Sequence, residues 1–556
     1  MMPTITIYCK NTSTYKEVPM GASLAEIYTA IGAPLHYRPM NAQVNNRTCS
    51  LNFRCWQPKD IEYVDYTSMS GMRTYLRSLC HIFSKAVHDI FPNASLKLEH
   101  AVSKGYFCVI NNGENQIGEE DIKRIKDRMQ DIINADIPFI RRSIHTTDAI
   151  TLFNEHNMPD KARLIETTGM LYTTYYDLDG YINYFYGSLT PSTGYIHLFD
   201  LMPYSGGILL RVPSRKNPME LEPFVRQDKM LNVYKEHLLF QDALDLSNVG
   251  DLNMAIKKGK AAGVIMISEA LQEKQIAHIA DEIAERYADG VRIVLIAGPS
   301  SSGKTTTCKR LEIQLATNRL SPVGISLDDY FVNREDTPKD ENGDYDFESL
   351  YALDLDYFNS DLNKLVSGEE IELPSFDFNT GKRVYKGKKL KLKKNSVIVI
   401  EGIHALNPEL TSHIPDKLKY CVYVSALTSI SLDNHNWIPT TDNRLIRRIV
   451  RDSKFRGYSA EDTIMRWPSV RRGEDKWIFP YQENADAMLN SAMLYELAVL
   501  RPYVEPVLNE VPESSPAYTE AYRLRRFLQY FKCIPESEIP MTSLLREFLG
   551  GGKFEY

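Results

Sequence analysis

The sequence predicts an α/β protein in which a C-terminal parallel sheet, covered by helices on both faces, follows smaller α+β modules. The chain has 556 residues, which is too long for one core and suggests roughly three or four domains. Beyond residue 290, short apolar segments alternate with helical segments, the pattern of a parallel sheet. Before that point, strand-like alternation and amphipathic helices are mixed, which predicts α+β modules.

The composition is ordinary for a globular protein in water. Lys and Arg number 65 against 72 Asp and Glu, and this net charge of −7 argues against a surface that binds polyanions throughout. A hydrophobic fraction of 43% excludes a mainly disordered chain. No apolar run approaches the ~18 residues of a membrane span, and we expect no secretion signal. The eight cysteines are scattered singly, so we expect reduced thiols and a cytoplasmic location. Because the sequence has no long apolar run, we also expect no membrane partner.

The segments before residue 290 indicate two modules and a connector. Residues 4–9 alternate like a strand, and Leu24, Ile27 and Ile31 share one face of a predicted helix. Helical and strand-like segments continue to about residue 215, and a later amphipathic helix ends at Gly290. We therefore divide the chain into residues 1–62, residues 63–215, a connector with the amphipathic helix at 216–285, residues 286–505, and a C-terminal linker and helical tail at 506–556.

One motif dominates the C-terminal half. Residues 298–305 read Gly-Pro-Ser-Ser-Ser-Gly-Lys-Thr, which fits G-x-x-x-x-G-K-[ST], with a predicted strand before it and a predicted helix after it. Small residues let successive N–H groups point at phosphate oxygens, and the helix N-terminus adds a favourable dipole. Lys304 is expected to neutralise the β- and γ-phosphates, and the Thr305 hydroxyl to ligate Mg²⁺. The predicted ATP-binding residues are Gly298, Ser300, Ser301, Ser302, Gly303, Lys304, Thr305 and Thr306.

Carboxylates follow two predicted strands, at the sheet edge where open α/β folds bind ligands. Asp328 and Asp329 follow the second strand, and Glu401 follows the apolar segment at 397–400. A kinase needs an acid that accepts the proton of the acceptor hydroxyl, and acids that organise the metal ion. Glu401 stands where such an acid holds Mg²⁺ through water. The alternatives are a cap or turn for the Asp pair and an ordinary strand end for Glu401.

An arginine-rich segment follows the predicted strands. Arg448 and Arg451 lie three residues apart, on one helical face, and Arg456 can reach from the end of that helix. Planar guanidinium groups suit a triphosphate and the charge that develops during phosphoryl transfer. The alternative is a solvated basic helix whose arginines pair with Asp442 and Asp452.

Residues 290–505 resemble the uridine kinase/phosphoribulokinase group of P-loop kinases, because several sequence blocks occur in the same order. Residues 325–331 resemble the segment that carries the general base, which implies this role for Asp328. Residues 401–403 resemble the Glu-Gly-Ile that follows the metal-binding strand, and residues 447–457 resemble the arginine-rich lid. The resemblance implies ATP and Mg²⁺ as cofactors. It also implies a catalytic set made of Asp328, Lys304, Arg448, Arg451 and Arg456, with Thr305 and Glu401 at the metal.

The acceptor side resembles the same family, with one departure. The block around Asp346 resembles the one whose Asp binds ribose hydroxyls, and the Pro-Ser-Phe-Asp-Phe segment resembles the one that packs on the base. The resemblance therefore implies that Asp346, Phe376 and Phe378 bind the substrate, although Phe376 could equally be a core residue. Gly381 stands where uridine kinases have a His that reads the pyrimidine edge. Since glycine offers no side-chain hydrogen bond, the identity of the nucleoside stays open.

Residues 1–62 resemble the TGS module, a ubiquitin-like domain of threonyl-tRNA synthetases, and residues 63–215 resemble their second additional domain. The latter edits mischarged tRNA with a His-x-x-x-His pair and a later Cys/His pair. Here Arg77 stands at the first position, and His81 is the one ligand of four that remains. We therefore predict no metal site, with His81 and Cys80 packed on a helix. This half is predicted to be a non-catalytic module that binds RNA or a regulatory ligand.

Together these patterns predict an ATP-dependent nucleoside kinase that transfers the γ-phosphoryl group to a 5′-hydroxyl, and that forms a homo-oligomer. One alternative is an RNA-binding, translation-associated NTPase switch, which would bind tRNA in a salt-dependent way and hydrolyse ATP without a phosphorylated small product. Another is a kinase for a non-nucleoside acceptor such as a sugar phosphate. An acid on the acceptor side and a separate arginine lid favour a kinase, because a switch requires neither.

Overall fold

The computed structural model describes residues 3–340, 343–377 and 380–555. Phe378, which is predicted to bind the acceptor, lies outside the described residues. Along the described chain, no helix combines the length and the apolar character that crossing a membrane requires.

The first module is a mixed sheet with one helix packed against it, in the strand order β2-β1-β5-β3-β4. Ser23 caps the helix, because its hydroxyl accepts from the Glu26 N–H while the Glu26 carboxylate accepts from the Ser23 N–H. Ile7, Leu24 and Ile61 lie in the core between sheet and helix. The elements are β1 Thr4–Cys9, β2 Thr14–Pro19, α1 Leu24–Ile31, β3 Asn41–Val44, β4 Arg47–Cys49 and β5 Lys59–Val64.

The second module combines two antiparallel sheets, ordered β11-β12-β7-β6 and β10-β9-β8, around the buried helix α2. Leu79 and Phe83 of α2 share a core with Ile125 of α3 and Leu210 of β12. The elements are α2 Met69–Ile90, β6 Ser95–Val102, β7 Gly105–Asn111, α3 Glu119–Asn134, β8 Ile140–His145, α4 Thr146–Glu155, α5 Pro159–Thr168, β9 Tyr172–Leu178, β10 Tyr181–Asn183, β11 Asp200–Tyr204 and β12 Gly207–Arg211.

The connector is helical, with α6 at Asp228–Ala243, α7 at Val249–Lys257 and α8 at Ala261–Ala288. Helix α8 contains the predicted amphipathic helix and begins at Ala261, because the buried Val264 and Ile265 extend its apolar face towards the N-terminus. The predicted division at 285/286 therefore falls inside a helix.

The C-terminal part is built on a parallel sheet in the strand order β14-β17-β13-β18-β19, which confirms the predicted fold class. Strand β19 has four residues, too few for a recognisable pattern. The elements are β13 Ile293–Ala297, α9 Lys304–Thr317, β14 Ser321–Ser326, α10 Leu355–Val366, β15 Ile371–Asp377, β16 Lys382–Leu390, β17 Ser396–Glu401, β18 Lys419–Ser425, α11 Thr440–Phe455, α12 Ala460–Trp477, β19 Ala487–Asn490, α13 Glu496–Asn509, α14 Tyr518–Leu528 and α15 Arg546–Leu549.

Helices cover both faces of this sheet. Leu295 of β13 packs in a cluster with Phe358 of α10, whereas the next residue back, Val294, packs with Ile279 of α8 and Leu311 of α9. Successive strand residues point to opposite faces, so an apolar strand such as β13 is buried on both sides.

The C-terminal helices join the two halves of the molecule. Helices α13, α14 and α15 share one hydrophobic core with α11 and with α4 and α5 of the second module. Arg523 of α14 pairs with Asp442 of α11 at 2.7 Å, and Arg73 of α2 pairs with Glu520 of α14 at 2.8 Å. The predicted division at 505/506 lies within α13, so the tail continues the core around α11.

Candidate active site

The loop between β13 and α9 has the geometry of a phosphate-binding loop. It turns through left-handed conformations at Ser301, with φ 58°, and Gly303, with φ 85°. A Cβ on Gly298 would lie 2.1 Å from the Val424 carbonyl oxygen, so this position requires glycine. Helix α9 begins at Lys304, and its first N–H groups therefore face the space enclosed by the loop.

Two buried arginines of α11 hold this loop from behind. The sequence patterns missed Arg444, and they placed Arg447 in the arginine-rich block without giving it a role. Arg444 Nε donates to the Ser300 carbonyl oxygen at 2.9 Å, and Arg447 Nη1 donates to that of Ser301 at 3.4 Å. Each arginine also forms an ion pair with a buried glutamate, Glu474 or Glu496 respectively. The available signal was their spacing in the same helix, since 444, 447 and 448 follow the i, i+3, i+4 rule for one helical face.

Of the three predicted lid arginines, Arg448 and Arg451 lie in the second half of α11 and Arg456 caps its C-terminus. Arg448 Nη1 donates to Ser300 Oγ at 2.9 Å, which brings this guanidinium onto the loop. Arg448, Arg451 and Arg456 also pair with Asp452, at 3.2, 3.1 and 3.5 Å. The alternative in which these arginines pair with acids of the same helix thus holds in part, because all three guanidinium groups pair with the Asp452 carboxylate.

The predicted acids converge at the carboxyl edge of the sheet. Glu401 ends β17 beside Ser326 of β14, whose hydroxyl donates to Glu401 Oε1 at 3.1 Å. Burial and the nearby charge of Asp328 raise the pKa of Glu401 to about 7, while the charge of Lys304 lowers it. Asp329 turns away and accepts from the Phe376 N–H at 3.2 Å. The structure therefore brings Asp328, Glu401 and Lys304 together.

Glu348 is a further acid at this site that sequence reasoning missed. Burial raises its pKa to about 7, and the charges of Arg448, Glu474, Lys304 and Asp328 also act on it. Its Oε2 is buried without a hydrogen-bond partner among the described residues.

The predicted Asp346 lies two residues before this acid. Asp346 Oδ1 accepts from the Glu348 N–H at 3.2 Å and so shapes the turn. The signal for Glu348 was present in the sequence, because the same short block contains both acids.

The aromatic segment and Gly381 lie on the β15–β16 hairpin. The Phe376 ring packs edge-on against the Phe331 ring, with centroids 5.6 Å apart, which leaves both the core and the substrate interpretation open. Gly381 has φ +69°, and a Cβ there would lie 2.8 Å from Arg334 Cβ. This turn requires a glycine, so no side chain at 381 can read a base.

The residues near Lys304 fit Mg²⁺ bound together with phosphates. Thr305 follows Lys304 at the start of α9, and Glu401 supplies a carboxylate near the like charge of Asp328, where a cation would relieve the repulsion. Over the described ranges, no cluster of three or more His, Cys, Asp or Glu side chains is arranged to hold a metal ion. In proteins, Mg²⁺ is usually bound by a few protein oxygens together with water molecules and substrate phosphates.

His81 and Cys80 are fully buried on α2, as predicted. The His81 ring stacks on Phe139 at 5.5 Å between centroids, and burial lowers its pKa to about 3. The segment before α11 packs into the same region, where Ser84 Oγ hydrogen bonds to His435 Nε2 at 3.0 Å. Side chains of this protein therefore fill the region around His81.

Another contact of the same segment joins the two halves. Lys161 of α5 and Asp433 form an ion pair at 2.8 Å in which both side chains are 0% exposed. A buried pair of this kind holds its partners firmly, because separating them would leave a charge without compensation.

Known proteins resemble the two halves of the chain separately. Residues 293–497 match the model of the Phosphoribulokinase / Uridine kinase family. A threonine–tRNA ligase from Syntrophomonas wolfei is 27% identical over 206 residues, covering 37% of this chain and 32% of the relative. One from Geobacter sp. strain M21 is 26% identical over 191 residues, covering 34% and 30%. The chain thus spans about a third of the length of the curated relatives it matches.

A solved structure described as a possible uridine kinase from Bacillus stearothermophilus is 19% identical and covers 38% of this chain and 98% of that chain, with a TM-score of 0.26. So low a score supports no conclusion. The family match and the ligase similarity confirm the two resemblances that the sequence motifs indicated. The family match supports an ATP-dependent kinase.

Proposed function

We propose, from the match of residues 293–497 to the phosphoribulokinase/uridine kinase family, that this protein transfers the γ-phosphoryl group of ATP to the 5′-hydroxyl of a nucleoside. The observation that carries the proposal is the meeting of Asp328 and Glu401 with Lys304 at the sheet edge, beside a loop contacted by Arg448. This arrangement combines an acid for the acceptor with cations for the phosphates, which phosphoryl transfer requires.

Each group has a distinct role in this proposal. Asp328 accepts the proton of the acceptor hydroxyl as the oxygen attacks phosphorus, and Lys304 neutralises the phosphate oxygens. Arg448 bridges the loop and the acid side, which suits it to the charge that develops during transfer. Thr305 and Glu401 would hold Mg²⁺, partly through water, and the ion supplies charge neutralisation between phosphates when bound.

Glu348 supports an acceptor that carries hydroxyl groups. Its unpartnered Oε2 lies in the field of Lys304 and Asp328, and a carboxylate is a strong acceptor for sugar hydroxyls. A nucleoside satisfies this requirement through its ribose. Since Gly381 offers no side chain to the base, we propose ribose recognition with weak discrimination among bases.

One observation favours a second acceptor class, a sugar phosphate. The positive charges of Lys386 and Lys388 of β16 act on Asp329, next to the proposed base. Cations at the acceptor side would suit an acceptor that carries its own phosphate.

The test is incubation of the purified full-length protein with ATP, Mg²⁺ and a panel of nucleosides and sugar phosphates, with the products identified by mass. A nucleoside monophosphate supports the proposal, and a sugar bisphosphate supports the second acceptor class. ATP hydrolysis with salt-dependent tRNA binding, and without any phosphorylated small product, would instead support the NTPase switch.

A further inference from the structure

The end of the chain reaches the phosphate-binding loop. We define the C-terminal segment as residues 536–549, which end with helix α15. A Cβ on Gly303 would lie 2.7 Å from Leu544 Cδ2, so this leucine lies directly on the loop. Glu547 Oε2 accepts from the Thr306 N–H at 3.1 Å and from the Thr306 hydroxyl at 2.7 Å. A carboxylate of this chain thus bonds to donors of Thr306, directly after the motif in the first turn of α9, where the sequence predicts ATP binding.

The charge environment explains why a carboxylate is stable there. Helix α9 has 14 residues, and the N-terminus of such a helix favours negative charge through its free N–H groups and its dipole. A second carboxylate, that of Glu474, accepts from the Ser300 N–H at 3.1 Å. Carboxylates therefore accept hydrogen bonds from N–H groups at both ends of the loop.

The segment is attached to the same helix that carries the lid arginines. Lys454 Nζ donates to the Leu549 carbonyl oxygen at 2.9 Å, and the Arg447 guanidinium lies 5.1 Å from the centre of the Phe548 ring. Leu545 and Phe548 are fully buried. Displacement of Glu547 and movement of α11 are therefore mechanically connected, since one set of contacts joins them.

We propose that the C-terminal segment is an autoinhibitory element, in which Glu547 occupies the phosphate position at the start of α9 until a nucleotide displaces it. The inference rests on the proposed function, because it requires a nucleotide to enter this loop. A nucleotide binds only to those molecules in which the segment is displaced. The apparent affinity is therefore the intrinsic affinity multiplied by the fraction of displaced molecules. Any contact that draws the segment away would activate the enzyme.

The test compares ADP binding, by titration calorimetry without metal, in the full-length protein and its variants. Glu547→Ala removes the competing carboxylate and should tighten ADP binding about tenfold, the equivalent of one charge-assisted hydrogen bond. Glu547→Gln keeps the shape and should tighten binding less. Glu538→Gln removes an exposed carboxylate of the same segment and should leave the affinity unchanged. Thermal unfolding verifies that each variant is folded.

Hydrogen exchange supplies a second readout. Amides of residues 545–549 should lose protection when saturating ADP is added to the unmodified protein, because Glu547 leaves the loop. Equal ADP affinity of Glu547→Ala and the unmodified protein, or unchanged protection at saturation, would overturn the autoinhibitory role. Tighter ADP binding in Glu547→Ala without any phosphoryl transfer would overturn the proposed function alone, and failure of all variants to bind ADP would overturn both.

Discussion

Arg444 and Glu474 form a buried ion pair directly behind the phosphate-binding loop, with side chains that are 1% and 0% exposed. Arg444 Nε donates to the Ser300 carbonyl oxygen at 2.9 Å, and Glu474 Oε1 accepts from the Ser300 N–H at 3.1 Å. The pair thus holds both backbone polar groups of one loop residue. Because α11 and α12 supply the two side chains, the loop conformation depends on the packing of these helices.

Arg444→Met should therefore be severely destabilising. It removes the buried partner of Glu474 and leaves only the partly exposed Arg471, at 2.7 Å, to compensate this charge. Breaking a buried pair typically costs about 3–5 kcal/mol of the free energy of unfolding, and we expect a loss towards the lower end of this range because Arg471 remains. Urea unfolding measures this loss. The control is Arg472→Met on the same α12 helix as Glu474, where a 58% exposed arginine pairs with Asp340 and the loss should be below about 1 kcal/mol. Similar losses for the two variants would contradict a structural role for the buried pair.

Asp328→Asn should lower turnover by about 10²–10⁴-fold, because the amide cannot accept the proton of the acceptor hydroxyl. ADP binding should be nearly unchanged, since we propose that the phosphates bind to the loop and not to Asp328. Steady-state kinetics with the acceptor found in the panel and ADP calorimetry check the two parts. Asp356→Asn, an exposed acid in the first turn of α10, is the matched control and should keep full turnover. Full turnover in Asp328→Asn would remove this residue from the mechanism.

Glu401 should make stability depend on pH. Its folded-state pKa of about 7 lies above the ordinary value of 4.5, so between these values the folded protein holds this proton more tightly than the unfolded chain does. The stabilising contribution is complete below about pH 4.5 and is lost as the pH rises through about 7. Glu401→Gln, which resembles the protonated acid, should flatten this fall. Melting temperatures between pH 5 and pH 8 measure it, and parallel curves for both proteins would contradict the shift.

The same titration bears on the metal ion. Since ionised Glu401 is the form that would hold Mg²⁺ in the proposed site, the gain in ATP affinity on adding Mg²⁺ should increase as the pH rises through about 7. ATP calorimetry with and without Mg²⁺ at several pH values provides the measurement. In Glu401→Gln the gain should be small at every pH, whereas a gain equal to that of the unmodified protein would place the metal elsewhere.

Gly381→His should not restore reading of a pyrimidine. The turn has φ +69° and Arg334 Cβ stands 2.8 Å from the position of a new Cβ, so both strain and contact oppose the side chain. We expect the free energy of unfolding to fall by more than the ~1–2 kcal/mol that left-handed backbone strain alone would cost. Gly387→His is the matched control, because Gly387 has φ +74° with nothing within 4 Å and so reports strain without contact. Unfolding free energies compare the two, and better discrimination among bases in Gly381→His would contradict this reading of the turn.

The sequence alone was sufficient for the loop and for the apolar strands of the sheet, though not for the short β19. The phosphate-binding motif is one uninterrupted stretch, 298–305, whose small residues permit the turn and whose helix follows directly, so its geometry is local. Strand β13 was recognisable because an apolar run buried on both faces has no polar side to obscure it. The resemblance to kinases also followed from short blocks of adjacent residues.

Tertiary structure decided which distant side chains complete the site. Glu474 reaches a residue 174 positions away in sequence, and Glu547 reaches Thr306 across 241 positions. No periodic pattern marks such contacts, because they depend on how helices α11, α12 and α15 pack around the loop. The sequence alone does not distinguish Glu348 from the nearby Asp346 as the acid of the site. The turn between them decides this, because it brings Glu348 within the influence of the Lys304 charge. Neighbouring residues determine local geometry. Burial and charge at a site depend on distant segments, which only the folded chain brings together.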